Sequence, residues 1–129
     1  MSRDGARYTK AHAWMEQQGG EWLVGITDYA AGNMGDIIYA ELPSVDTAVT
    51  AGGAYGNIES AKAVEDLIAP LTGTVTKANE ELEATPETIN EDPFEAGWTI
   101  VVKPEGDVDL TDTMDAEEYA AYVASLSEE

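Results

Sequence analysis

The chain has 129 residues, long enough for one hydrophobic core, and 43% of them are apolar, with three Trp and six Tyr, which argues against a disordered segment. Its 26 acidic residues against six basic ones give a formal charge of −20, a field that repels nucleic-acid phosphates and anionic membrane surfaces. No cysteine is present, which excludes disulfides, thiol nucleophiles and Cys-based metal sites.

Self-repulsion of this size opposes compaction at low salt, whereas molar salt shrinks the Debye length to about 3 Å. The composition therefore suits a salt-rich cytoplasm, or more modestly a soluble monomer. The first five residues lack an apolar signal region and no long apolar run follows, so cytosol is the expected location and no membrane is an expected partner. The whole chain, 1–129, reads as one domain.

Taken in order, residues 8–16 alternate large and small and read as an edge strand. Gln17, Gln18, Gly19 and Gly20 form a turn, and residues 21–26 read as a second, mostly buried strand. Thr27 or Asp28 can cap a short helical turn by accepting an orphan backbone N–H. Residues 36–42 form the next strand, closed by Pro43. Ala51, Gly52 and Gly53 then turn the chain toward its centre. Neither this pair of glycines nor Gly19–Gly20 has phosphate-loop spacing.

The central stretch carries the most information. Ala54, Gly56 and Ile58 precede, and Val64, Leu67 and Ile68 follow, a short polar stretch centred on Lys62. Two period-2 runs meeting there predict a β-hairpin with Lys62 near its tip. Ser60, Ala61 and Ala63 form a small-residue collar around one of only four lysines. Glu59, Glu65 and Asp66 surround it with carboxylates. An amine left open in this way suits modification by another enzyme, so a carrier role fits better than catalysis.

Beyond the hairpin, residues 69–73 turn and 74–78 form a strand. Residues 85–90 suggest a helical turn with Pro86 at its first position. Residues 98–103 read as the last strand. Asp115 and Glu118 resemble a capping box, and Tyr119, Tyr122, Val123 and Leu126 then fall on one face of a helix spanning about 115–126. Short strands at regular spacing predict a compact β-sandwich or barrel. Trp14, Trp22 and Trp98 read as core. His12 is the sole histidine, which argues against a His-based metal site and for a structural or cleft-lining role.

These residues share a register with a known family. The chain resembles the H protein of the glycine cleavage system from Tyr8 to about Tyr122. The landmarks are His12 and Trp14, Val24 through Ala30, Gly35-Asp36-Ile37, Glu41-Leu42-Pro43, and Ile58-Glu59-Ser60-Ala61-Lys62-Ala63. They continue through Ala69 to Gly73, Ile89 to Pro93, and Gly97-Trp98. The resemblance implies a mainly β barrel-sandwich hybrid, of the lipoyl/biotinyl-carrier kind, with short helices and a C-terminal helix. It also implies lipoate in amide linkage to Lys62. The implied partners are a decarboxylating glycine dehydrogenase, an aminomethyltransferase, dihydrolipoyl dehydrogenase and lipoate-attaching enzymes. The cofactor would carry the chemistry and the protein would present it, so the chain itself would not be an enzyme.

Three positions depart from the family pattern. Ala13 stands where a Glu commonly lies in the cleft that shelters the aminomethylated arm. Asn57 replaces an apolar residue, and Ala61 is smaller than the usual Val. Two other readings accompany the leading one: a divergent carrier relaying lipoyl groups to other complexes, and an unmodified binding or scaffold module. A biotin carrier would want Met on both sides of the lysine, where Ala61 and Ala63 stand.

Overall fold

A computed structural model describes residues 5–127; Met1 to Asp4, read above for targeting signals, lie outside the described residues. The chain is mainly β and forms two sheets. The larger is built from β1 (Arg7–Tyr8), β2 (Ala13–Gln18), β3 (Glu21–Ile26), β5 (Ala48–Val49), β8 (Gly73–Ala78) and β9 (Ile100–Pro104), in spatial order β1-β2-β3-β9-β8-β5. The smaller holds β4 (Ile37–Glu41), β6 (Ala54–Ser60) and β7 (Val64–Ile68), with β6 in the middle. Every pairing is antiparallel.

Alternation along the strands sorts side chains into two cores, because successive residues point to opposite faces. Met15, Trp22, Val24, Ile100 and Val102 face the small sheet, where they meet Ile37, Ala40, Ile58 and Leu67. Trp14, Leu23 and Val101 point the other way and pack with Tyr8, Phe94 and Tyr119. Strand β3 is thus buried on both faces, which explains its nearly unbroken apolar run. Trp14 lies directly opposite Gly25, and a Cβ on that glycine would come within 2.6 Å of the indole. The close approach is what requires glycine there. The indole N–H donates to the Pro93 carbonyl at 3.0 Å, so burial leaves it satisfied. Trp14 and Trp22 are core as expected, and Trp98 packs half-buried on the second cluster.

Four helices complete the molecule among the described residues: α1 (Asp28–Met34), α2 (Glu81–Ala84), α3 (Thr88–Glu91) and α4 (Ala116–Ser127). Thr27 caps α1 by accepting the Ala30 N–H at 3.3 Å, and Gly35 ends it with φ +76°, the left-handed region glycine enters freely. At α4 the capping box closes in both directions. Asp115 Oδ1 accepts the Glu118 N–H at 2.8 Å, and Glu118 Oε1 accepts the Asp115 N–H at 3.0 Å. The helix lays Tyr119, Tyr122 and Val123 on the outer core, as its spacing predicts.

The expected first strand is corrected. Residues 8–16 are not continuous: β1 ends at Tyr8 and folds back so that Tyr8 pairs with Trp14. Thr9 closes the intervening turn, its carbonyl accepting the His12 N–H at 3.0 Å and its hydroxyl the Ala13 N–H at 3.3 Å. His12 takes φ +66° within it. Helix α2, anchored by the fully buried Leu82, answers to no expected element, since one turn in an acidic run shows no periodicity.

Candidate functional site

Strands β6 and β7 form the predicted hairpin. Glu59 pairs with Val64, and the Ser60 N–H donates to the Ala63 carbonyl at 2.9 Å, leaving Ala61 and Lys62 as a two-residue tip. Neither tip residue has positive φ, so the turn needs no glycine. Ser60 Oγ accepts the Lys62 N–H at 3.3 Å and braces the turn from within. Lys62 is exposed, and its stem lies across Gly35: a Cβ there would sit 3.5 Å from Lys62 Cε and 4.0 Å from Nζ. The amine is therefore open to another macromolecule.

A cavity of about 300 Å³ begins at the hairpin, with Ala63, Glu65 and Asp66 on one wall. His12 and Ala13 line the opposite side, and Ile26, Met34, Ile58 and Leu67 make its floor apolar. Glu65 shares the inward face of β7 with Leu67, two positions on. The expected single acidic rim is thereby divided. Glu65 stands on the cavity face, whereas Glu59 alternates to the opposite face from its buried neighbour Ile58, and Asp66 alternates to that outer face too while still bordering the cavity. Ala61 is exposed at the tip beside Lys62, and Ala63 packs on the main core.

His12 is held by a chain of hydroxyls. The Tyr119 hydroxyl lies 2.8 Å from His12 Nδ1 and 2.7 Å from Thr27 Oγ1. Thr27 is fully buried, so its hydroxyl proton needs an acceptor, and the Tyr119 oxygen is the one at hydrogen-bond distance that can take it. With Tyr119 donating to His12 Nδ1 and the remaining imidazole proton on Nε2, all three groups are satisfied, and this is the assignment adopted for the network. Burial lowers the His12 pKa from 6.5, favouring this neutral ring. Burial likewise pushes the Tyr119 phenol up to about 12, against the opposing hydrogen bond to Thr27. His12 thus enters the cavity wall as a neutral imidazole, bordered by the Tyr29, Tyr119 and Tyr122 rings.

Asn90 is the positioning residue the sequence reading left without a role. Its Oδ1 accepts the Ile37 N–H at 2.8 Å, and its Nδ2 donates to the carbonyls of Gly35 (2.8 Å) and Ala31 (3.3 Å). One side chain therefore ties the end of α1 to the start of β4, fixing the backbone over which Lys62 lies. Asn90 was visible as part of a family landmark, but only the fold shows what it joins. Among the described residues no group of His, Asp or Glu could hold a metal ion.

A model of the glycine cleavage H-protein family matches residues 6–126. The chain is 47% identical over 117 residues to the glycine cleavage system H protein of Anaeromyxobacter sp. (strain K), covering 91% of each. It is 45% identical over 122 residues to glycine cleavage system H protein 4 of Aquifex aeolicus, covering 95% of this chain and 71% of that one. The crystal structure of a glycine cleavage system H protein from Mycobacterium marinum superposes with TM-score 0.87 at 36% identity, over 95% of this chain and 99% of that one. The chain belongs to the glycine cleavage H-protein family. No helix among the described residues is long and apolar enough to cross a membrane.

Proposed function

We propose that the chain is the lipoyl carrier of a glycine cleavage system, with lipoate in amide linkage to Lys62. The observation that carries this reading is an exposed lysine at the tip of a two-residue turn, beside a mostly apolar cavity, in a chain of this family. Attachment forms one C–N bond between Lys62 Nζ and an activated lipoyl carboxyl carbon; the activating group leaves and the amine gives up its proton and its charge. Once attached, the dithiolane supplies the sulfur chemistry that serves the decarboxylating glycine dehydrogenase, the aminomethyltransferase and dihydrolipoyl dehydrogenase in turn.

The chain's own residues present and shelter. The glycine-free tip holds the anchor, and a tethered arm meets each partner at high effective concentration. Ile26, Met34, Ile58 and Leu67 keep water from an apolar arm resting in the cavity, while Glu65 and Asp66 set negative charge near any amine it carries. Glu59, Ser60, Ala61 and Ala63 shape the hairpin an attaching enzyme must accept. The carrier acts as a cytoplasmic monomer and catalyses nothing itself.

Intact mass after co-expression with a lipoate-attaching enzyme is the test. A lipoyl adduct on the wild type, absent from Lys62→Arg, is expected; an unmodified wild type would favour a scaffold and overturn the proposal. Ala13, fully buried at the cavity wall, is the observation behind the second reading, a carrier relaying lipoyl groups to other complexes. Reconstitution of the loaded chain with the three partner enzymes, glycine and tetrahydrofolate separates the two.

A further inference from the structure

Three of the five large apolar side chains exposed among the described residues gather beside the lysine hairpin: Ile38 (62% exposed), Tyr39 (44%) and Val64 (62%). Two features of the small sheet put them there. The register of β4 against β6 shifts between Ile37 and Tyr39, and this bulge turns both Ile38 and Tyr39 to solvent while Ile37 and Ala40 stay buried. Tyr39 also pairs with Glu59, and Glu59 with Val64, so Tyr39 and Val64 flank Glu59 in one cross-strand row, with Ile38 next to Tyr39 in the bulge. Apolar residues scattered singly on a surface mean little, but a group clustered around one carboxylate beside an exposed amine suits a contact surface.

The charges around the group select its occupant. Glu59 stands within the row, and Glu41, which accepts a hydrogen bond from Asn57 Nδ2 at 3.1 Å, stands in the next. A second copy of the chain would press these carboxylates against their own kind, in molecules of formal charge −20. Anionic lipid is repelled for the same reason. A basic protein surface is the complement.

Resting on the carrier reading, we propose that this outer face, Ile38, Tyr39 and Val64, is the docking surface for the enzyme that attaches the arm, which meets it with an apolar recess rimmed by Lys or Arg. The reach of the amine points to that enzyme rather than to those that use the finished arm. A bare lysine is short, so the attaching enzyme must enclose the tip and press on its flanks. An acylated lysine is far longer and reaches an active site from a more distant contact. The patch also distinguishes Lys62 from the other three lysines, which a net negative field alone cannot do.

The test measures lipoylation of the full-length chain by a purified lipoate-attaching enzyme with lipoate and ATP. Ile38→Ser/Val64→Ser is expected to raise KM for the chain about tenfold, with kcat at saturation preserved. Val45→Ser and Leu110→Ser, which remove exposed apolar side chains outside this row, are expected to match the wild type. Ile38, Val45 and Val64 are more than half exposed and Leu110 about a third, and equal melting temperatures would confirm intact folding. A double variant with wild-type KM, or an equal loss in all variants, would overturn the docking surface while leaving the carrier reading standing. A wild type that accepts no lipoate would overturn both. Once loaded, the double variant should turn over normally with the cycle enzymes; a matching loss there would overturn the assignment to the attaching enzyme.

Discussion

His12 shows how much one residue can be asked to do. It holds a left-handed backbone conformation, forms part of the cavity wall and shares a hydrogen bond with the Tyr119 hydroxyl at Nδ1. Its pKa is lowered by burial, so between that value and 6.5 the unfolded chain binds more protons than the folded one. Stability from this group is therefore full above pH 6.5 and falls as pH drops toward the folded value. His12→Asn keeps a residue type that tolerates positive φ but removes the titration. The melting temperature of the wild type should fall more steeply between pH 7.5 and 5.5 than that of the variant; parallel curves would show that His12 does not contribute. Lys62, its alanine neighbours and the hairpin tip were legible at this scale because they depend on adjacent residues. The role of Asn90 was not, since its partners lie more than 50 positions away in sequence.

Among elements, those with local signals emerged most clearly. The α4 capping box needs only Asp115, Glu118 and the Tyr119/Tyr122/Val123 stripe, all within one short window. Asp115→Ala removes one of its two reciprocal bonds and should lower stability by about 1 kcal/mol in urea unfolding. The cost should shrink when Glu118 is replaced as well, because the two groups satisfy each other. The break in the first strand escapes the sequence for the complementary reason. Alternation persists from Tyr8 to Glu16 in sequence, while the break depends on Thr9 bonding across a turn and on His12 adopting positive φ. Periodicity carries neither. The division of Glu65 from Glu59 is hidden likewise, because it depends on which face of the small sheet meets the core.

At the scale of the molecule, the double core explains how a chain with so little basic charge stays compact: β3 and its neighbours bury apolar side chains on both faces. That burial opposes the mutual repulsion of 26 acidic groups, which only six basic ones offset. Raising potassium chloride from 0.05 M to 1 M should increase the melting temperature as the Debye length contracts to about 3 Å. A flat or falling response would mean that the acidic groups are already balanced locally. The mainly β, two-sheet architecture was foreseeable from strand spacing and from the family landmarks. The separation of the lysine hairpin with β4 into its own three-stranded sheet was not, because it depends on pairings between distant segments.

Tyr119 gives the far end of the polypeptide a stake in the cavity beside the lysine hairpin. Its hydroxyl is the acceptor for Thr27 and the donor for His12, so peeling the last helix away strands a buried threonine proton and frees the imidazole to swap tautomers. A protease cut in the exposed stretch between β9 and α4 would leave the modifiable amine in place yet deform the shelter behind it. Under the proposed carrier role, damage at the tail would then register as a faulty berth for the cargo, not as a missing anchor.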